Sequence, residues 1–212
     1  MQIKQFVFSP FAVNTYLLWD NETRETAIVD PACLHKEEEF QLLDFIKENK
    51  LTIKYLLNTH GHIDHIFGNK FVYENFSPQY FAPEKDLFLF TSAVQYANQF
   101  GIKINTVPLP ENYLTEERQL FIGKTELKCL FTPGHTPGEY SFYFPSENIC
   151  FTGDVLFKNG IGRTDFEGGN YSVLISSIKN KLFTLPEITK VYAGHGEFTT
   201  IGEEKTNNFS FG

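Results

Sequence analysis

Five of the six histidines in this 212-residue chain stand where a predicted strand runs out into a loop. They are His60, His62 and His65 in "NTHGHIDHIFGN", His135 in "FTPGHTPGEY" and His195 in "YAGHGEF". Two carboxylates share that placement, Asp64 in the first cluster and Asp154 in "FTGDVLF". One buried imidazole is readily satisfied by one hydrogen bond. Five at strand ends, with two aspartates, are not explained that way.

The spacing has a chemical reading. His60 and His62 are two residues apart, so in an extended segment their rings project from the same side and can share one ion. Asp64 and His65 lie just beyond, where the chain turns into a helix, and can address a neighbouring position. Imidazole nitrogens with a few carboxylate oxygens suit zinc, iron or manganese. Seven ligands are too many for one tetrahedral ion that keeps an open position. They suit two divalent ions, most simply zinc, with one carboxylate bridging. The alternative is a structural site, which four ligands, often cysteines, usually close. The three cysteines here, Cys33, Cys129 and Cys150, are widely spaced and include no C-x-x-C, which fits a reducing compartment.

The rest of the chain alternates short strands with amphipathic helices. "IKQFVF", "TYLLWD" and "TAIVDP" read as strands, with "DNETRE" a hairpin loop. "KEEEFQLLDFIKENK" reads as a helix with Phe40, Leu43 and Ile46 on its apolar face and its acids at the favourable end of the dipole. "TIKYLLNT" is a strand leading into the histidines. A helix is expected over about 66–75, a strand at "QYFA", and a helix in "PEKDLFLFTSAVQYANQFG", which Pro83 and Gly101 punctuate. Further on, "QLFIG", "TELKCLFTP", "YSFYF", "NICFTGD" and "KVYAGH" are strands and "YSVLISSIKNKLFTL" a helix. Each half gives strands and then helices. The expectation is an α/β fold, a four-layer αββα sandwich of two mixed β-sheets flanked by helices, as one domain over 1–212.

A net charge of −8 without any cluster of Lys and Arg argues against a nucleic-acid partner. The N-terminal stretch lacks a basic region followed by an unbroken apolar run, and nothing approaches eighteen consecutive apolar residues. No signal peptide and no membrane partner are expected, and a cytoplasmic location is the default.

"THGHIDH", with the later "PGHTPG", "TGD" and "GHG", resembles the metallo-β-lactamase superfamily, whose hallmark is H-x-H-x-D-H. The blocks occur in family order, and the likeness extends from "NTYLL" and "VDP" to "GHGEFTTIGEE". The resemblance implies that His60, His62 and His135 hold the first metal and that Asp64, His65 and His195 hold the second. Asp154 would bridge the two, making Asp64 and Asp154 the catalytic carboxylates. Asp30, in "IVDP", corresponds to an acid beside the site that fixes a ligand histidine's tautomer; a plain turn residue before Pro31 is the other reading. His35 matches no motif and reads as a surface histidine.

Two such ions lower the pKa of bound water enough to supply hydroxide at neutral pH and polarise the oxygen under attack. No serine or cysteine nucleophile is needed, and no G-x-S-x-G occurs. "TGDVLFKNGIGRTDFEGG" resembles the glyoxalase II-like branch, which hydrolyses S-acylglutathione thioesters. A thiolate leaves readily, its thiol ionising at about 8.5, so a general acid is nearly dispensable. Arg163, with Lys158 the weaker candidate, would reach a carboxylate of the substrate. The chain departs from full-length glyoxalase II enzymes in lacking their helical C-terminal domain and in having Phe198 where they carry a tyrosine. Gly61 stands where a histidine is often found. The pattern is closer to compact single-domain type II glyoxalases. "GRTDF" is also the signature of persulfide dioxygenases, which use a single iron, and a non-catalytic metal-binding module is the reading from a different class.

Overall fold

The computed structural model describes residues 1–104 and 106–211. The chain forms two compact units, one made of 1–113 with 121–125 and the other of 114–120 with the residues from 126 onward.

The first unit is built on a six-stranded sheet in sequence order, β1 (Gln2–Phe8), β2 (Val13–Trp19), β3 (Glu25–Val29), β4 (Thr52–Leu57), β5 (Gln79–Ala82) and β6 (Asn112–Tyr113). The first three strands are antiparallel and joined by tight turns. In the second turn the Asp20 carboxylate accepts from the Glu22 and Thr23 amides at 3.0 and 2.7 Å, and these bonds, Thr23's foremost, hold its pKa down. From β3 onward neighbouring strands are parallel. Parallel strands need a crossover, and here helices supply it: α1 (Lys36–Glu48), the pair α2 (Ile63–Ile66) and α3 (Asn69–Phe76), and α4 (Leu87–Gln99). Their apolar sides pack on the sheet, Leu42, Ile46, Val72, Phe90 and Ala97 joining Leu17, Ile28, Leu56 and Tyr80 in one core. Each such aliphatic side chain, fully buried, contributes about 1.5–3 kcal/mol.

Two local expectations are corrected. In α1 the buried face is Leu42 and Ile46, one turn apart, whereas Phe40 is 58% exposed. Phe40 precedes Leu42 by two residues, about 200° around the helix, so it cannot share that face. The single helix expected over 66–75 is two helices broken at Gly68. There the backbone closes on the preceding loop: the Gly68 amide donates to the Pro31 carbonyl at 2.8 Å, and a β-carbon would lie 2.4 Å from Cys33 Sγ.

The other six-stranded sheet has the order β14 (Thr199–Thr200), β13 (Lys190–Ala193), β10 (Ile149–Gly153), β9 (Tyr140–Phe144), β8 (Thr125–Phe131) and β7 (Gln119–Ile122), all but the ends of β7 and β8 from the second unit. It is mixed: β10 and β13 are parallel, while β8–β9, β9–β10 and β13–β14 are antiparallel. A small ribbon, β11 (Leu156–Phe157) with β12 (Gly160–Ile161), follows β10. Helix α5 (Tyr171–Asn180) makes the parallel crossover, its first turn capped by Asn170 accepting from the Val173 amide at 3.1 Å. Leu174 and Ile178 on α5 pack with Cys150, Val191 and Leu156, and Ile201 on α6 (Ile201–Asn207) completes this core.

The architecture is an α/β fold of two mixed sheets flanked by helices, as expected. Among the described residues no helix is long and apolar enough to cross a membrane.

Candidate metal centre

In both units the histidine and aspartate side chains singled out above follow the C-terminal ends of strands. Asp30 follows β3 and the His60–His65 segment follows β4; His135, Asp154 and His195 follow β8, β10 and β13. Strand ends are where an α/β sheet leaves side chains and amides unclaimed by the ladder and available to a ligand.

In the first unit, His62 is extended (φ −64°, ψ 144°) and caps α2, which turns Asp64 and His65 away along the helix. The His60 ring lies 4.9 Å from that of His62 and 4.2 Å from that of His65, centroid to centroid. His60 and His65 are fully buried. One carboxylate, Asp30, orders both of them. Its Oδ2 accepts from His65 Nδ1 at 3.0 Å and from the Thr59 hydroxyl at 2.6 Å, and its Oδ1 accepts from the Thr59 amide at 2.8 Å. The single Thr59 hydroxyl proton is thereby committed to Asp30. The same oxygen, 3.0 Å from His60 Nδ1, must accept from that ring. Both histidines thus carry the proton on Nδ1 and the lone pair on Nε2. Asp64 Oδ2 stands 3.9 Å from that nitrogen of His65. Asp30, His60 and His65 each place a polar atom within 4.8 Å of the others, and the hydrogen bonds above make Asp30 the support of the two histidines.

In the second unit, His135 Nδ1 donates to the Arg163 carbonyl at 2.6 Å, which again leaves Nε2 with the lone pair. Asp154 Oδ2 lies 3.6 Å from His135 Nε2 and 3.6 Å from His195 Nε2. These separations are too long for hydrogen bonds. Two ligands about 2.1 Å from one tetrahedral ion sit roughly 3.4 Å apart, so the spacing fits atoms arranged around a cation. The donor set, imidazole Nε2 and carboxylate oxygen with no thiolate, fits zinc, iron or manganese equally.

The predicted substrate residues are held by local acids. Arg163 forms a bidentate pair with Asp165 (3.0 and 2.7 Å) and lies over the Phe166 ring, 4.3 Å from its centroid. That pairing lowers the Asp165 pKa. Lys158 pairs with Glu197 at 2.6 Å, tying the β11–β12 ribbon to the loop after His195, and each partner stabilises the charged form of the other. Phe198 is 55% exposed, and His35 is exposed at the start of α1.

Three residues that the motifs did not flag support the donor loops. Thr59 links Asp30 to His60, as above. Asp86, fully buried, accepts from the Gly61 amide at 3.0 Å. Glu139, also fully buried, accepts from the Asp154 amide at 2.8 Å. The signal available for Glu139 was a carboxylate set directly after "HTPG" and before an apolar strand, where a charge is costly unless it is paired.

The family model described as the metallo-β-lactamase superfamily matches residues 8–195. Among curated proteins the chain is similar to hydroxyacylglutathione hydrolase GloC of Haemophilus influenzae, 40% identical over 98% of this chain and 97% of that one. Among solved structures it is similar to the BLEG-1 B3 metallo-β-lactamase (TM-score 0.89, 36% identity, 99% of each chain). It is also similar to TTHA1623 in a di-iron-bound form (TM-score 0.86, 32% identity, covering 97% of this chain and 98% of that chain).

Proposed function

Since this chain belongs to the metallo-β-lactamase superfamily, in its glyoxalase II- and persulfide-dioxygenase-like branch, and is a metal-dependent hydrolase, we propose that its substrates are thioesters of the S-acylglutathione type. The observation that carries this reading is the 40% identity, across 98% of the chain, with a hydroxyacylglutathione hydrolase.

By the family's motifs, His60, His62 and His135 would hold one ion and Asp64, His65 and His195 a second, with Asp154 between them. When bound, divalent ions supply Lewis acidity and bring the ionisation of water close to neutral pH. The chain's own residues prepare for this. Asp30 and Thr59 keep the Nε2 lone pairs of His60 and His65 available, and the Arg163 carbonyl does the same for His135. A thiol nucleophile is not on offer, because Cys33, Cys129 and Cys150 are all buried and burial pushes the first two up to about 12. In this reading water is the nucleophile. A thiolate, the conjugate base of an acid of pKa about 8.5, departs without a protonated side chain to assist it.

The test is release of free thiol from S-lactoylglutathione by metal-replete protein, with a β-lactam as comparator substrate and His62→Ala as the inactive control. Turnover of the thioester at least tenfold above the β-lactam supports the reading. Oxygen consumption with glutathione persulfide, in place of thioester turnover, would move the chain to the dioxygenase side of the branch.

A further inference from the structure

We infer that Glu139 and Gly162 are positioning residues that clamp the backbone of Asp154 on either side of its Cα, one at its N–H and the other at its C=O, and so set where its carboxylate stands. The inference rests on the metal-centre reading above.

Asp154 carries the second unit's most demanding geometry. One of its oxygens is 3.6 Å from the Nε2 of two histidines that arrive on different strands, so a shift of one ångström spoils both separations. Yet Asp154 belongs to no regular element. It sits in a tight turn after β10, entered through Gly153 in the left-handed region (φ 51°) and closed by the Val155 amide donating to the Thr152 carbonyl at 3.0 Å. Something outside the turn must fix it.

Two features do so. The Asp154 N–H donates to Glu139 Oε1 at 2.8 Å, and Glu139 has no solvent exposure. A peptide N–H in a turn can be satisfied by water or a neutral carbonyl, whereas burying a carboxylate is expensive. Here Glu139 Oε1 and the Asp154 N–H satisfy each other. On the other side, the Asp154 carbonyl packs against Gly162 so closely that a β-carbon there would lie 1.8 Å from its oxygen and 3.1 Å from His135 Nδ1. The Gly162 amide donates to the Val155 carbonyl at 3.3 Å, and the next residue, Arg163, supplies the carbonyl that orients His135. Gly162 therefore brings one segment against Asp154 and His135 together. Gly160, two residues earlier, has open space where a side chain would go.

The experiment has two arms. In the first, metal-depleted protein is titrated with zinc and the dissociation constant measured directly, without substrate, for Glu139→Leu, Glu139→Gln, Gly162→Ala and Gly160→Ala, with folding checked by circular dichroism. We expect Glu139→Leu and Gly162→Ala to weaken zinc binding roughly 10–100-fold, the range for losing a group that orients a ligand. Glu139→Gln, whose amide oxygen still accepts from the Asp154 N–H, stays within about threefold of wild type, as does Gly160→Ala. In the second arm, amide hydrogen exchange of unmodified metal-free protein is read at Asp154, where protection at least as strong as in the strand core is expected. Wild-type zinc affinity in folded Glu139→Leu and Gly162→Ala, or Glu139→Gln falling as far as Glu139→Leu, overturns the clamp. Fast exchange at Asp154 does so without any variant. Wild-type protein that binds no metal while its Asp154 amide is protected would defeat the metal reading and leave the clamp standing.

Discussion

Asp30 Oδ2 lies 3.0 Å from His65 Nδ1 and 2.6 Å from the Thr59 hydroxyl, so one buried carboxylate sets the tautomers of two histidines. Asp30 also holds a left-handed backbone (φ 47°), a conformation that asparagine tolerates as well as aspartate does. Asp30→Asn is therefore a clean test. The variant keeps shape and backbone but has one acceptor oxygen, so an amide NH2 opposes at least one former donor. We expect zinc affinity to fall about 10–100-fold, with the loss measured by titration of metal-depleted protein. Each orphaned donor also costs about 1–3 kcal/mol, which a thermal melt will register as a lower Tm.

Gly61 is enclosed so closely that a side chain has no room. A β-carbon there would lie 2.9 Å from Leu89 Cβ, 3.0 Å from the Phe90 ring and 3.1 Å from Asp86 Cβ. Gly61→His should destabilise the protein by about 1–3 kcal/mol through overpacking, seen as a shift in denaturation midpoint. An unchanged midpoint would mean that α4 retreats easily.

Arg163 and Asp165 predict a change in substrate affinity with little change in stability, because both are largely exposed. Asp165 occupies the guanidinium edge that a substrate carboxylate would need. Asp165→Asn should lower KM for a carboxylate-bearing thioester by about two- to fivefold and leave kcat alone. Arg163→Met should raise KM for that substrate and spare a neutral thioester. A rise in KM with Asp165→Asn would show that Asp165 holds Arg163 in its working pose.

The cysteines give a prediction about chemistry that should not occur. Burial raises the Cys33 and Cys129 thiols to about 12 and raises Cys150 as well, so all three stay protonated at pH 8. A thiol reagent should modify the native protein negligibly and leave turnover unchanged, then label three thiols per chain once guanidinium unfolds it. Inactivation in step with labelling of one cysteine would contradict the assignment of water as nucleophile.

Much of this was legible in the residues. The strands ending at Leu57, Phe131, Gly153 and Ala193 announce themselves by apolar runs, and the donor residues follow each directly. The two-residue strands β6, β11, β12 and β14 are too short to show a period. Helix α6 has a readable start: Thr200 accepts from the Glu203 amide at 3.2 Å, the T-x-x-E pattern of a capped helix. Phe40 misled because apolar character alone does not choose a face. Support for the donors was the least legible part. Thr59 could be placed next to His60, but that its hydroxyl relays between Asp30 and His60 depends on β3 and β4 being paired in parallel. Asp86 and Glu139 reach residues 25 and 15 positions away, and no local spacing encodes such bonds.

The central claim is that these histidines and aspartates serve a binuclear hydrolytic centre, and metal stoichiometry tests it most directly. Protein purified without added metal would be analysed for zinc, iron and manganese per chain, then assayed for thiol release from S-lactoylglutathione. The account predicts about two ions per chain and thioester turnover that is lost on chelation and restored by adding metal. A single iron per chain, with oxygen uptake on glutathione persulfide and no thiol release, would contradict it.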